Sequence, residues 1–253
     1  MTQIYMDIAL VNFRQPQLTV DCLESLEKQT DCPVPFTVWV CENGSADDSA
    51  SVLKREIAAR GWQSWVKLRI SEENTGVSGG NNLLIEEVLN LPERYAVAAE
   101  NHYIFLLNND TIVRDKGLKY LCDFMAENPQ ADACASRLEY PDGTAQASAF
   151  RFPGLFSEIE SAICFGPVSR LFSRYKVAPP QQDKTATTQW VAGASLLVRR
   201  NILNRVGLLD HGFWTYFEDV DFCKRLAQQN FSLWYVPQAR IVHLVGGSSG
   251  IDE

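Results

Sequence analysis

Residues 103–111 read YIFLLNNDT: an unbroken apolar run from Tyr103 to Leu107 gives way at once to Asn108, Asn109 and Asp110. A strand that is apolar at every position is buried on both faces, and such strands belong to parallel sheets covered by helices. The sequence upstream supplies the partners. Ile4 to Val11 is a short apolar run with β-branched residues, and Pro16 opens a helical stretch with Leu18, Cys22, Leu23 and Leu26 at helical spacing. Phe36 to Cys41 reads as a second strand, and Ser45 to Asp48 offer capping groups for a helix running to about Arg60. Trp65 to Ile70 alternates as a third strand, and the glycine-rich loop ENTGVSGGNN (73–82) leads into a helix carrying Leu84, Val88 and Leu89. Strand and helix at this rhythm predict an α/β fold, with a mostly parallel sheet and right-handed crossovers.

Downstream the pattern is less regular. Ala131 to Tyr140 reads as a strand, Pro141-Asp142-Gly143 as a turn, Ala192 to Val198 as a strand, and Glu218 to Gln229 as a helix. Phe231 to Val236 reads as a last strand, closed by Pro237. With no repeat, linker or low-complexity tract, one domain over 1–253 with an elaborated second half is the simplest account.

The chain has 253 residues, 46% hydrophobic and 21% charged, which is globular composition with enough length for a sizeable core. A net charge of -8 argues against a nucleic-acid partner, because phosphate backbones select basic surfaces. The 7 cysteines are scattered without a CxxC pair, so they read as small core residues and not as a disulfide or zinc framework. The N-terminus moves straight into a strand without a basic leader, and no apolar run reaches the roughly 18 residues of a membrane span. A soluble cytoplasmic protein is expected, with the Asn-x-Ser/Thr matches at Asn43, Asn109 and Asn230 accidental.

Ligands of open parallel sheets bind at the carboxyl ends of the strands. Here those ends carry Asn12, then Glu42-Asn43-Gly44-Ser45, then Asn74, then Asn108-Asn109-Asp110. Any one of these is also ordinary turn chemistry; their coincidence on one rim is what suggests a site. Gly76, Gly79 and Gly80 fit neither a dinucleotide fingerprint nor a P-loop. They still allow a ligand close to the backbone, with a helix N-terminus behind it. Asp110 after a buried strand suits a hard divalent cation that bridges a diphosphate, and equally suits a cap or turn. Glu218, Asp219 and Asp221 cluster behind Phe213, Trp214, Tyr216 and Phe217. Acids at a helix start complement its dipole, but the aromatic flank also suits a desolvated general base. His243 follows Ile241-Val242 and precedes Gly246-Gly247-Ser248-Ser249; alone it reads as readily as a core or surface histidine.

Together these pieces resemble glycosyltransferase family 2, and within it the bacterial rhamnosyltransferase-like branch. The motifs are LVNF (10–13), ENGSADDS (42–49), ENTGVSGGNN (73–82), LLNNDT (106–111), WVAGASLLVRR (190–200), GLLDHGFWTYFEDVDFCKRL (207–226) and VPQARIVHLVGGSS (236–249), and they span nearly the whole chain. The resemblance implies a GT-A fold, with a nucleotide-binding half over about 1–112 and an acceptor-binding and catalytic half over about 113–253. It places Asn12 and Glu42 at the nucleoside, with Glu42 where the family usually has Asp, and Asn74, Gly76 and Asn81 near nucleobase and ribose. Asn109 and Asp110 match the family's DxD-type metal motif, weakened by Asn108 at its first acid, and His243 matches a histidine that completes the metal site. The implied cofactor is Mg²⁺ or Mn²⁺, held mainly together with the donor diphosphate. Asp219 matches the catalytic base, with Glu218 beside it, and Trp190, Gly193 and Ala194 match a segment lining the donor-sugar and acceptor region. Arg199 and Arg200 are candidates for phosphate contact or for a structural role.

The implied reaction is an inverting transfer from a nucleotide-sugar donor, dTDP-L-rhamnose by branch, to a cell-surface polysaccharide or lipid-linked glycan at the cytoplasmic face of the inner membrane. UDP-hexoses are the alternative donors, and a degenerate, non-catalytic binding module the alternative class. A sugar nucleotidyltransferase would need a basic glycine-rich N-terminal loop that LVNFRQPQ (10–17) does not supply. The aromatic-rich region around Phe150 to Tyr175 is expected to shape the acceptor site, and a C-terminal helix or membrane-associating segment found in many relatives is expected to lie beyond this chain.

Overall fold

A computed structural model describes residues 4–92, 96–153, 177, 183–214 and 216–244. Four parallel strands open the fold: β1 (Tyr5–Asn12), β2 (Phe36–Asn43), β3 (Val66–Ser71) and β4 (His102–Leu107), in the order β3-β2-β1-β4. Their crossovers carry α1 (Pro16–Glu27), α2 (Ser49–Ala59) and α3 (Gly76–Leu89). Pro16 stands in the first turn of α1, where its fixed φ and missing N–H cost nothing. Every residue of β4 is buried, as its unbroken apolar run predicts.

The second half extends the same sheet. After β5 (Thr111–Val113) and α4 (Gly117–Glu127) come β6 (Ala133–Glu139), then β7 (Ala149–Phe150), β8 (Ala186–Thr187) and β9 (Trp190–Val191). β10 (Ser195–Arg199), α5 (Arg200–Val206), α6 (Glu218–Gln228) and β11 (Leu233–His243) complete the order. β10 lies antiparallel between β4 and β6, and the sheet continues through β11 to β5. β11 is parallel to β6, β8 pairs with β11, and β7 with β9 forms a separate ribbon.

The core lies on both faces of the sheet, because side chains alternate along each strand. Met6, Ile8 and Leu10 of β1 face Leu23 and Leu26 of α1, Leu53 of α2 and Leu121 of α4. Ala9, with Trp39 and Ile104, faces Leu84 and Ile85 of α3, Ile202 of α5 and Phe222 of α6. Among the described residues, three helices thus cover each face.

Two expectations are corrected. The glycine-rich stretch is not a loop up to Asn82: α3 begins at Gly76, and Ser78, Gly79, Gly80, Asn81 and Asn82 are buried in its first turns. A Cβ on Gly80 would lie 2.8 Å from Val11 Cγ1, so glycine lets the helix approach β1 closely. The last strand does not close at Pro237 either; β11 runs on to His243. Its pairing with β6 slips between Val236 and Arg240, so Pro237 sits in an irregularity where no ladder N–H is required.

Candidate active site

The carboxyl ends of β1, β2 and β4 open into a cleft of about 400 Å³. Its lining includes Asn74, Gly76, Asn81, Asn109, Asp110, His243, Gly193, Glu218 and Asp219. Residues remote in sequence are therefore brought to one cavity.

The rim of the cleft at the end of β2 is built on Asn43. Its Nδ2 donates to Asn74 Oδ1 and to the Gly76 carbonyl, both at 3.0 Å, and its Oδ1 accepts the Thr75 N–H at 3.1 Å and hydroxyl at 2.9 Å. Asn74 Oδ1 also accepts the Gly76 N–H at 2.9 Å, so one buried side chain fixes the whole turn into α3. Asn12 and Asn109 are joined through Thr19, whose hydroxyl donates to Asn12 Oδ1 (3.0 Å) and accepts from Asn109 Nδ2 (3.1 Å). Asn12 Nδ2 is buried with no hydrogen-bond partner among the described residues. Neither Asn12 nor Glu42 lines the cleft: Glu42 is buried and accepts the Ser45 N–H at 3.0 Å. Trp190 also stands outside it, stacked on Phe150 with centroids 4.0 Å apart, its Nε1–H donating to the Arg151 carbonyl.

Asp110 is almost wholly buried and directly precedes β5. Strand pairing sets His243 opposite Thr111, and the Leu244 N–H donates to the Asp110 carbonyl at 2.9 Å. His243 Nε2 consequently lies 3.5 Å from Asp110 Oδ1. Among the described residues no group of three His, Cys, Asp or Glu side chains gathers around a metal position. Two donors at this spacing can share one cation with bonds of about 2.1 Å, leaving its other positions for ligand oxygens.

The acid cluster at the start of α6 separates into two kinds. Asp221 pairs with Arg225 at 2.8 Å, one helical turn on, which is structural. Asp219 turns into the cleft, where Oδ2 accepts the Gly193 N–H at 2.9 Å and Oδ1 the Val220 N–H at 2.7 Å. Burial raises the Asp219 pKa above the ordinary carboxylate range, and these two N–H groups only partly oppose it. Glu218 is raised as well, by burial and then by the charge of Asp219, and its Oε2 has no hydrogen-bond partner among the described residues. The chain enters α6 through Tyr216 and Phe217 at φ +65° and +69°. Left-handed backbone at two successive large residues stores strain where the acids are aimed.

The loop before those acids is clamped from both sides. Asn82 donates to the Leu209 carbonyl at 2.8 Å and accepts its N–H at 3.0 Å, while Arg225 donates to the carbonyls of Val206 and Leu208 at 2.8 Å. Trp214, Tyr216 and Phe217 stay 59%, 55% and 66% exposed, and the first two line the mouth of the cleft. Asn82, and Gln146, whose Nε2 donates to the His243 carbonyl at 2.7 Å, are supporting residues that sequence reasoning missed, whereas Asn43 was already among the strand-end residues; an isolated amide carries no signal of its partners.

Arg199 is a structural residue. It is buried at the opposite end of β10, paired with Tyr103, and its guanidinium donates to the carbonyls of Ala131 (2.7 Å), Met125 (2.7 Å) and Glu100 (2.5 Å). Arg200 likewise donates to the Val97 carbonyl at 2.8 Å. His102 is buried against Asp7 at 2.7 Å, and His211 meets Asn82 at 3.2 Å. The described cysteines are free, all buried except the half-buried Cys32. The expected acceptor region beyond Pro153, and Gly246 to Ser249, lie outside the described residues.

Comparison with known proteins bears on the family and the fold. The chain is 26% identical over 235 residues to N-acetylglucosaminyl-diphospho-decaprenol L-rhamnosyltransferase of Mycobacterium tuberculosis, covering 91% of this chain and 73% of that protein. It is 29% identical over 172 residues to rhamnosyltransferase WbbL of Escherichia coli K12, covering 66% and 60%. Similar solved folds include GalNAc-T7 with UDP, GalNAc and Mn²⁺, at a TM-score of 0.65, 14% identity, 99% of this chain and 46% of that one. Another is the mannosyltransferase PcManGT from Pyrobaculum calidifontis with GDP-Man and Mn²⁺, at a TM-score of 0.61, 15% identity, 97% of this chain and 58% of that one. The chain thus spans about half the length of these solved structures, and its sheet is that of the GT-A fold. The family model for glycosyl transferase family 2 matches residues 7–205, most of the chain, so this protein belongs to that family and is an enzyme of the glycosyltransferase class.

Proposed function

We propose that this protein moves L-rhamnose from dTDP-L-rhamnose, with inversion, to a hydroxyl of a cell-surface polysaccharide or lipid-linked glycan precursor. The observation that carries the reading is the Asp219 carboxylate, half-buried, raised in pKa and held by the Gly193 N–H, in the same cleft as the Asp110–His243 pair. The rhamnosyl donor and lipid-linked acceptor are supported by the names of the curated relatives. UDP-hexoses remain the alternative donors, in keeping with the UDP carried by a similar fold.

In this reading Asn74, Gly76 and Asn81 receive the nucleoside at the rim, and Asn109 meets the sugar-phosphate region. Asn12 and Glu42 set the strand ends behind it, and Trp190 with Phe150 forms a wall behind Gly193. Residues 1–112 form the nucleotide half and 113–253 the acceptor and catalytic half of a single domain. Asp219 takes the acceptor hydroxyl proton while the oxygen bonds to the anomeric carbon. The bond from that carbon to the diphosphate oxygen breaks on the opposite face, and its electron pair leaves with the nucleoside diphosphate. A carboxylate whose pKa is raised by burial is a stronger base than an exposed one, so the cleft's apolar walls serve the chemistry. Glu218 Oε2 accepts a hydrogen bond from a second acceptor hydroxyl.

Asp110 and His243 would hold a divalent cation, Mg²⁺ or Mn²⁺, which they fit in donor type and spacing. When bound, it neutralises the charge that grows on the leaving diphosphate. The protein works at the cytoplasmic face of the membrane, where lipid-linked acceptors are exposed; none of its described helices is long and apolar enough to cross one. A panel of sugar nucleotides screened by thermal shift, followed by mass spectrometry of the glycan product, tests the reading. Stabilisation by dTDP-rhamnose is expected, and no response to any sugar nucleotide would point to a non-catalytic module.

A further inference from the structure

Gln146 has no part in the reaction as drawn, yet both ends of its side chain are spent on His243. It follows the hairpin closed by the Glu139–Ala145 bridge, its backbone N–H donates to the Leu138 carbonyl at 2.9 Å, and it is buried. We infer that Gln146 is a positioning residue that locks the His243 imidazole in its Nδ1–H form, leaving Nε2 as a bare lone pair turned toward Asp110. This deepens, and rests on, the reading of Asp110 and His243 as cation ligands.

For a neutral imidazole the atoms leave one consistent assignment. The Gln146 amide lies with one atom 2.7 Å from the His243 carbonyl oxygen. A carbonyl only accepts, so that atom is the Nε2 amino group, which fixes the orientation of the whole amide. Its other end, Oε1, then faces His243 Nδ1 at 3.3 Å. Oε1 also only accepts, so the contact is favourable when Nδ1 carries the hydrogen. A neutral imidazole carries one N–H, and Nε2 is therefore a lone pair. That lone pair stands 3.5 Å from Asp110 Oδ1, an acceptor against an acceptor, which suits a shared cation and not a hydrogen bond. Partners of this kind orient a ligating histidine and raise its basicity.

Two glutamine variants separate this role from a merely structural one. Gln146→Glu keeps an acceptor at Nδ1 but cannot donate to the His243 carbonyl; Gln146→Met, of similar length, does neither. In the metal-free full chain at mildly alkaline pH, a long-range ¹H–¹⁵N spectrum reads the tautomer, with His243 assigned by its loss in His243→Gln. Protonated Nδ1 is expected in the wild type and in Gln146→Glu, and a mixed or Nε2–H population in Gln146→Met. Mn²⁺ titrated in the presence of dTDP and followed by electron paramagnetic resonance should bind about 10–100-fold more weakly to Gln146→Met, and close to wild type to Gln146→Glu. An Nε2–H tautomer in the wild type, or equal weakening in the two variants, would overturn the inference. The spectrum needs no cation, so it decides the positioning role separately. Mn²⁺ binding left unchanged by Asp110→Ala would refute the cation reading alone.

Discussion

Gly76→Ala tests whether the turn into α3 and the segment that enters α6 are one mechanical unit. Gly76 sits at φ +71°, and a Cβ there would lie 2.5 Å from the Trp214 carbonyl oxygen. An L residue in that conformation costs about 1–2 kcal/mol. Relieving the contact requires the Trp214 peptide to retreat by roughly 1 Å, and overpacking of that kind costs about 1–3 kcal/mol more. Gly61 provides a matched control, since it has the same φ of +71° but nothing within 4 Å of its would-be Cβ. Both variants share the backbone cost and the entropy removed from the unfolded chain. Their difference in urea-unfolding free energy therefore isolates the contact, at about 1–3 kcal/mol. Transfer should separate them further. The Trp214 carbonyl also accepts the Val77 N–H at 3.0 Å, and Tyr216 and the first residues of α6, Glu218 and Asp219, follow it in the chain. A misplacement of about 1 Å near reacting groups can cost on the order of 100-fold in rate, so Gly76→Ala should lose about that much kcat while Gly61→Ala stays near wild type. Equal stability losses in the two variants, or full turnover in Gly76→Ala, would refute the coupling.

Asp219→Asn should lower kcat by about 10²–10⁴-fold with donor affinity intact by calorimetry. In the wild type the acidic limb of kcat/KM should lie above the ordinary aspartate value of about 3.9, because the base is lost as pH falls through its raised pKa. A carboxyl whose pKa is raised on folding costs stability once pH exceeds its unfolded value, so Asp219→Asn should gain relative stability from about pH 4 upward, read from chemical denaturation at several pH values. Asp110→Ala should abolish the Mg²⁺ or Mn²⁺ dependence of nucleotide binding; an unaltered metal response in calorimetry would exclude it as a ligand. Asn82→Ala leaves the Leu209 N–H and carbonyl without their partner and should cost about 1–3 kcal/mol per orphaned group, with a larger loss of kcat than of donor affinity.

What could be read from the sequence was whatever a local pattern encodes. YIFLL declares a strand buried on both faces, and the polar residues after β1, β2 and β4 mark the rim, since strand ends of a parallel sheet share one side. The limits of α3 were misread because glycines suggest a loop by propensity, whereas Gly80 is there for contact with Val11, a partner far away in sequence. Pro237 suggested a strand end because a ladder position needs an N–H; it falls in a slip of register, which only the partner strand β6 reveals. Arg199 offered a charge for phosphates, but four backbone carbonyls claim its guanidinium. Gln146 was invisible for the same reason: an amide's role is set by what folding brings to its two ends.

That slip of register also decides which side chain stands beside Asp110. β11 leaves its pairing with β6 after Val236 and resumes at Arg240, so residues 237–239 are taken out of the ladder. Beyond it, Ile241, Val242 and His243 pair with Val113, Ile112 and Thr111, which is what brings an imidazole beside Asp110. Were the strand paired straight through, Arg240, three residues earlier, would stand at the level of His243. The slip would then displace every later residue by about 10 Å along the strand, and an odd number of residues would turn each side chain to the other face. A guanidinium there would neutralise Asp110 by itself and leave no lone pair for a cation. Instead Arg240 faces away and binds the buried Glu139 at 2.7 Å, opposite Arg114. The irregularity at Pro237 therefore sets an imidazole, and not a guanidinium, beside the buried Asp110 carboxylate.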